Sequence, residues 1–136
     1  MIEYRNFQTE YMEQVKELFR EEEWNAYLRD DEKLFRAFRN SLFLLGAFEG
    51  EKLVGFVRAV GDGEHILLVQ DLIVRKSHQR QGIGKKLFQT VWDTFRGVRM
   101  FHVVTDMYDE ADNRFYSSFG MKKIEEGQMV SYYRVE

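Results

Sequence analysis

The stretch His78-Gln79-Arg80-Gln81-Gly82-Ile83-Gly84-Lys85-Lys86 sets two glycines among cations, between an apolar run and the clearest amphipathic segment of the chain. A strand-to-helix junction of this kind binds phosphate. The first N–H groups of a helix have no acceptor within it, the helix dipole is positive there, and glycine leaves the backbone open to an anion. Arg80, Lys85 and Lys86 add charge. The stretch lacks the Gly-Lys-Ser/Thr ending of a triphosphate-binding loop and the first glycine of the dinucleotide GxGxxG pattern. The same residues also suit a plain turn into a helix with a basic first turn.

Other side chains able to do chemistry are scattered. Asp71 interrupts an apolar run, Tyr116 follows Phe115 in a short helical segment, and Trp24 and Tyr27 stand among Glu21, Glu22, Glu23, Asp30 and Asp31. With no Cys in the chain, disulfides, thiolate metal sites and a thiol nucleophile are excluded. The three His and the dispersed acids show no ligand spacing, so no metal is expected. A net charge of −3 and a pI near 5.7 argue against nucleic acid as a partner. No stretch approaches the ~18 apolar residues of a membrane span, and the first residues do not read as a signal peptide. A soluble, cytoplasmic protein is expected.

Hydrophobic spacing indicates the elements that must carry these groups. Residues 2–6 read as a strand, and Thr9 as the N-cap of a helix to about Arg20; an irregular helical corner follows, then a helix over 32–40. Residues 42–48 and 52–60 form a hairpin, and Gly61-Asp62-Gly63 turns into a third strand, 65–75, whose apolar run suggests a central position. Ile83, Leu87, Phe88, Val91, Trp92 and Phe95 make one helical stripe. A strand over 99–105 and a helix over 109–119 with Asp109 as N-cap complete the pattern, and 121–125 and 129–135 flank Gly127-Gln128 as a closing hairpin. One α/β domain over 1–136 is expected: a mixed, mostly antiparallel sheet, helices on both faces, and one βαβ crossover.

Gln79-x-x-Gly82-x-Gly84, after Val69-Gln70-Asp71-Leu72-Ile73-Val74 and before an amphipathic helix, resembles the acetyl-CoA signature of the GCN5-related N-acetyltransferases (GNAT). The element order is similar across nearly the whole chain. Trp24, Tyr27 and Arg58 to Gly63 resemble a small bacterial branch related to aralkylamine acetyltransferases. The resemblance implies an enzyme that transfers the acetyl group of acetyl-CoA to a small-molecule primary amine by direct attack in a ternary complex.

It also implies roles. The pyrophosphate of acetyl-CoA would rest on backbone of Arg80, Gln81, Gly82, Ile83, Gly84 and Lys85, beside Gln79. The pantetheine arm would pair with Leu72, Ile73 and Val74, where the central strand splays from 100–105. No Gly or Pro in 67–75 advertises the bulge that would open that gap. Tyr116, in Asn113-Arg114-Phe115-Tyr116, would protonate the departing thiolate, and Asp71 would act as base through water. Trp24 and Tyr27 would wall the acceptor pocket.

Three positions depart from the family pattern. Asp109 stands where an Asn usually contacts the cofactor, Lys76 where a Pro is usual, and His78 where an aromatic precedes Gln79. Three further readings stay open: a non-catalytic acyl-CoA-binding or regulatory module, a binder of another phosphate ligand such as a nucleotide, and a homodimer formed through the strand edge 129–135.

Overall fold

In the computed structural model, which describes residues 1–135, β1 (Glu3–Asn6), β2 (Phe43–Glu49), β3 (Lys52–Gly61), β4 (Ile66–Val74) and β5 (Met100–Val103) lie side by side in chain order. β1 to β4 are antiparallel. β5 returns parallel to β4 after the helix α3 (Ile83–Thr94), so the expected crossover is present. This is the mixed, mostly antiparallel α/β arrangement implied by the sequence. The whole sheet, with α1 (Met12–Glu21), α2 (Asp31–Arg39) and α3, falls in the compact unit Met1–Val104; the unit Thr105–Glu136 holds α4 (Glu110–Ser118).

Alternation sorts the side chains of the sheet. Leu44, Phe56 and Ile73 point to the face covered by α1 and α2, where Val15, Leu18, Phe19, Leu34 and Phe38 meet them. Their sequence neighbours serve α3 on the other face. There Phe95 stands edge-on to Phe43 at 5.4 Å, Phe88 edge-on to Phe101 at 6.0 Å, and Leu87 and Val91 are fully buried. Each such side chain stabilises the fold by roughly 1.5–3 kcal/mol.

The ladder between β3 and β4 is broken once. Arg58 faces Asp71 while Ala59 faces Val69, which leaves Gln70 as an extra residue in a β-bulge. The β4–β5 ladder stops at the same point, pairing Ile66–Val69 with Met100–Val103 and going no further. The two strands therefore part at Gln70, and the backbone from Asp71 to Val74 has no β5 partner.

The turn between β3 and β4 is built on Asp62. One of its oxygens accepts the N–H groups of Glu64 and His65 at 2.8 Å and of Ile66 at 3.0 Å. Gly61 has φ +131°, and a Cβ there would collide with the Ile66 carbonyl.

Two expectations are corrected. Thr9 does not cap α1; residues Thr9–Tyr11 form a 3-10 turn ahead of it. The closing hairpin is absent among the described residues. Ile124–Gly127 is a 3-10 turn, with the Lys123 N–H donated to Glu126 at 3.0 Å and Gln128 at φ +64°. A local capping box outcompetes the strand propensity of its flanks. Residues 129–135 then run exposed, with Tyr132 92% and Tyr133 85% accessible.

The N–H groups of Ile66, Glu64 and His65 hold the Asp62 carboxyl below its ordinary pKa of 3.8. A depressed carboxyl pKa stabilises the fold above the ordinary value and loses that contribution as pH falls through the folded value. The melting temperature of Asp62→Ala should therefore lie below wild type at neutral pH, with the gap narrowing as acid protonates the carboxyl below the ordinary value of 3.8. A gap that persisted there would mean that the turn is not held by the carboxylate charge.

Candidate active site

β4 ends at Val74, and a 3-10 turn, Lys76–His78, leads to the glycine-rich loop. Arg80 has φ +65° and Gly82 φ +82°, both left-handed, and Gly82 is the N-cap of α3. The Lys86 N–H donates to the Gly82 carbonyl at 3.0 Å. The N–H groups of Ile83, Gly84 and Lys85 precede that bond and have no acceptor within the helix. A Cβ on Gly82 would meet nothing within 4 Å, and one on Gly84 would only touch Val74 at 3.7 Å. The chain itself thus leaves open the room that side chains would fill. A cradle of free N–H groups, flanked by Arg80, Lys85 and Lys86, fits a phosphate group.

The approach to this loop is held by acids of α1. Glu17 accepts from Arg75 at 3.1 Å, and the Arg75 Nε donates to the Leu53 carbonyl at 3.0 Å. Glu21 accepts the backbone N–H of Lys76 at 3.0 Å. Gln79 donates through Nε2 to the Val74 carbonyl at 3.0 Å and, at 3.5 Å, to Glu22. Glu21 and Glu22, grouped by sequence with an acidic corner, therefore serve the loop. The position that departs from Pro is also explained, since the Lys76 N–H is the donor that Glu21 uses and a Pro would lack it.

Asp71 is 2% exposed and paired with Arg58, whose Nε lies 2.6 Å from Oδ2. Oδ1 accepts the Tyr27 hydroxyl at 2.6 Å. Arg58 also donates to the Ser41 hydroxyl at 3.2 Å, and Gln70 donates through Nε2 to the Tyr27 oxygen at 3.1 Å. Burial, then the Asp71 charge and the hydrogen bond to it, raise the Tyr27 pKa, so the phenol keeps its proton. The Tyr27 ring stacks on Phe19 at 4.3 Å, with Trp24 5.9 Å from the same ring. Arg58, Ser41 and Gln70 were not among the site residues expected from sequence.

In the second unit Asp109 caps α4, accepting the Asp112 N–H at 2.9 Å. Tyr116 is half-buried beside Phe115, and burial, followed by the charges of Asp112 and Asp109, pushes its pKa well up. It is a neutral phenol at pH 7.

Elsewhere, a cleft of about 570 Å³ between the ends of β1 and α2 is lined by Phe7, Phe38, Ser41 and Leu44 among others, and by none of the residues expected at the site. Among the described residues no cluster of three His, Asp or Glu could hold a metal. No helix among them is long and apolar enough to cross a membrane.

Residues 7–121 match the acetyltransferase (GNAT) family profile. The chain belongs to that family. It is an acyltransferase by class. Its fold is shared with the GNAT-family acetyltransferase SP0256 of Streptococcus pneumoniae TIGR4, at 29% identity and a TM-score of 0.84 over 100% of this chain and 98% of that one. AAC(6')-Iy in complex with the bisubstrate analogue CoA-S-monomethyl-acetylneamine is similar at 20% identity, TM-score 0.70, covering 100% of this chain and 99% of that one. The PaiA N-acetyltransferase of Thermoplasma acidophilum in complex with coenzyme A is similar at 20% identity, TM-score 0.67, with 90% of each chain covered. No curated protein matches the chain significantly in sequence.

Arg80 pays for its position in backbone strain, since a left-handed residue other than glycine costs about 1–2 kcal/mol. Arg80→Gly should raise the melting temperature of the free protein by about 3–5 °C and weaken CoA binding several-fold, read by titration calorimetry. A variant that melts higher and binds CoA as tightly as wild type would remove Arg80 from the phosphate site.

Proposed function

We propose that this chain transfers the acetyl group of acetyl-CoA to the primary amine of a small molecule by direct attack in a ternary complex. The observation that carries the reading is the loop from Gln79 to Lys85, whose unpaired N–H groups and open glycines fit the pyrophosphate. The family match across both units supports a single domain acting as one enzyme.

Acetyl-CoA supplies an acetyl group activated as a thioester. The free backbone edge from Leu72 to Val74 aligns the pantetheine arm, and the aromatic wall of Trp24 and Tyr27 receives the amine, so orientation provides most of the rate. The amine nitrogen bonds to the acetyl carbon, the carbon–sulfur bond breaks, and one amine proton is lost. Asp71 has both oxygens engaged, so that proton leaves through water, with Asp71 acting by holding Tyr27. Tyr116 donates its hydroxyl proton to the departing thiolate and regains one from water. Its raised pKa keeps it a hydrogen-bond donor at pH 7, when a typical thiol has a pKa of ~8.5. Asp109 shapes the Tyr116 helix as its cap, with no contact to the cofactor required.

A melt series tests the loop. At about 100 times the dissociation constant, acetyl-CoA should add about 2.7 kcal/mol, roughly 8 to 10 °C at this chain length, and Gly82→Glu should abolish the shift. Thiol release is then followed with lysine, a tripeptide, spermidine, tyramine and kanamycin as acceptors. Tyr116→Phe should lower kcat by about 10²–10³-fold with acetyl-CoA binding kept. Binding without transfer to any amine would favour a regulatory acyl-CoA module.

A further inference from the structure

Gln70 is the extra residue of the β4 bulge, exposed between buried Val69 and buried Asp71, at the point where β4 and β5 part. Its amide is held at one end only. Nε2 donates to the Tyr27 oxygen at 3.1 Å, while Oε1 accepts no hydrogen bond from the described residues.

The direction of the amide follows from its neighbours. The Tyr27 proton is committed to Asp71, 2.6 Å away. A phenol oxygen whose proton is already donated can only accept, so Gln70 must turn its nitrogen toward Tyr27 and its carbonyl oxygen outward. Asp71 is in turn fixed by Arg58 at 2.6 Å, and Arg58 by Ser41, whose hydroxyl donates to the Ala37 carbonyl at 2.9 Å. A chain of hydrogen bonds rooted in α2 thus ends in the acceptor atom of an exposed residue beside Tyr27.

We infer that Gln70 Oε1 orients the attacking amine by accepting one of its N–H hydrogens, with Tyr27, Asp71 and Arg58 as positioning residues. The inference rests on the acetyl-transfer reading above and narrows its acceptor class. A primary amine has two hydrogens: one leaves to water as the nitrogen–carbon bond forms, and the other stays on Gln70 and becomes the N–H of the product amide. A secondary amine must give up the only hydrogen it could have kept there. Gln70 therefore selects primary amines over their N-methyl counterparts.

The test uses the full chain, saturating acetyl-CoA, the five amines of the panel and the N-methyl derivative of each one turned over. Gln70→Ala should lower kcat/KM for primary amines by about 10- to 100-fold, chiefly in kcat. Acetyl-CoA affinity and melting temperature should stay near wild type, and the preference over N-methyl amines should collapse. Tyr27→Phe, which keeps the ring stack and frees the amide to rotate, should cost part of the same loss. Adding Gln70→Ala to it should then cost far less than in the wild type, because the two act as one unit.

Gln70→Ala with turnover and amine preference within twofold of wild type, or fully additive effects of the two substitutions, overturns the assignment while leaving acetyl transfer standing. A wild type that binds acetyl-CoA and turns over no amine sinks both.

Discussion

The site depends on where one buried charge is allowed to sit. If the pairing of Ala59 with Val69 continued without a bulge, Asp71 would lie opposite Val57, on the apolar face beneath α3. An unpaired carboxylate there would cost several kcal/mol. One extra residue, Gln70, moves Asp71 across to face Arg58. The bulge therefore satisfies the charge, and by bending β4 at that point it also accompanies the end of pairing with β5. The free backbone edge from Asp71 to Val74, the Arg58 pair and the outward Gln70 amide all follow from that single register step.

Charge is arranged locally in a way the net value of −3 conceals. Glu17, Glu21 and Glu22 spend their oxygens on Arg75, Lys76 and Gln79, at the root of the loop. Arg80, Lys85 and Lys86 have no such partner among the hydrogen bonds and ion pairs formed by these acids. The acids fix the backbone from beneath while the cations stay with the open N–H groups. An acidic protein can thus present an anion site without a basic surface, because backbone donors and a helix dipole need only the local sign to be right.

Much of this was legible in the sequence because it is periodic or punctuated by glycine. The stripe from Ile83 to Phe95 and the glycines at 82 and 84 located α3 and its loop, and Asp109 was readable as a cap. The bulge was not legible, since it needs no Gly or Pro and arises from a pairing choice between Asp71 and two candidate neighbours in β3. The same holds for Gln70 and Ser41, ordinary polar residues whose roles exist only once Tyr27, 43 positions from Gln70, and Arg58, 17 positions from Ser41, have been brought onto them. The closing hairpin failed for a local reason: the bond between Lys123 and Glu126 spans three residues and forms before any strand partner is needed.

Three phenols among the described residues have raised pKa values, Tyr4 by burial alone and Tyr27 and Tyr116 by burial together with carboxylate charge, and for the last two the causes differ. Tyr27 is raised by burial and by a carboxylate that its own hydrogen bond reaches, so its proton is tied to Asp71 and its oxygen is left to accept. Tyr116 is raised by burial and then by the charges of Asp112 and Asp109. A phenol of the first kind can orient but cannot give up its proton without stranding a buried carboxylate. Tyr116, of the second kind, is a neutral phenol at pH 7. In the proposed reaction Tyr27 therefore serves as a positioning residue at the amine, and Tyr116 as the proton donor at the sulfur.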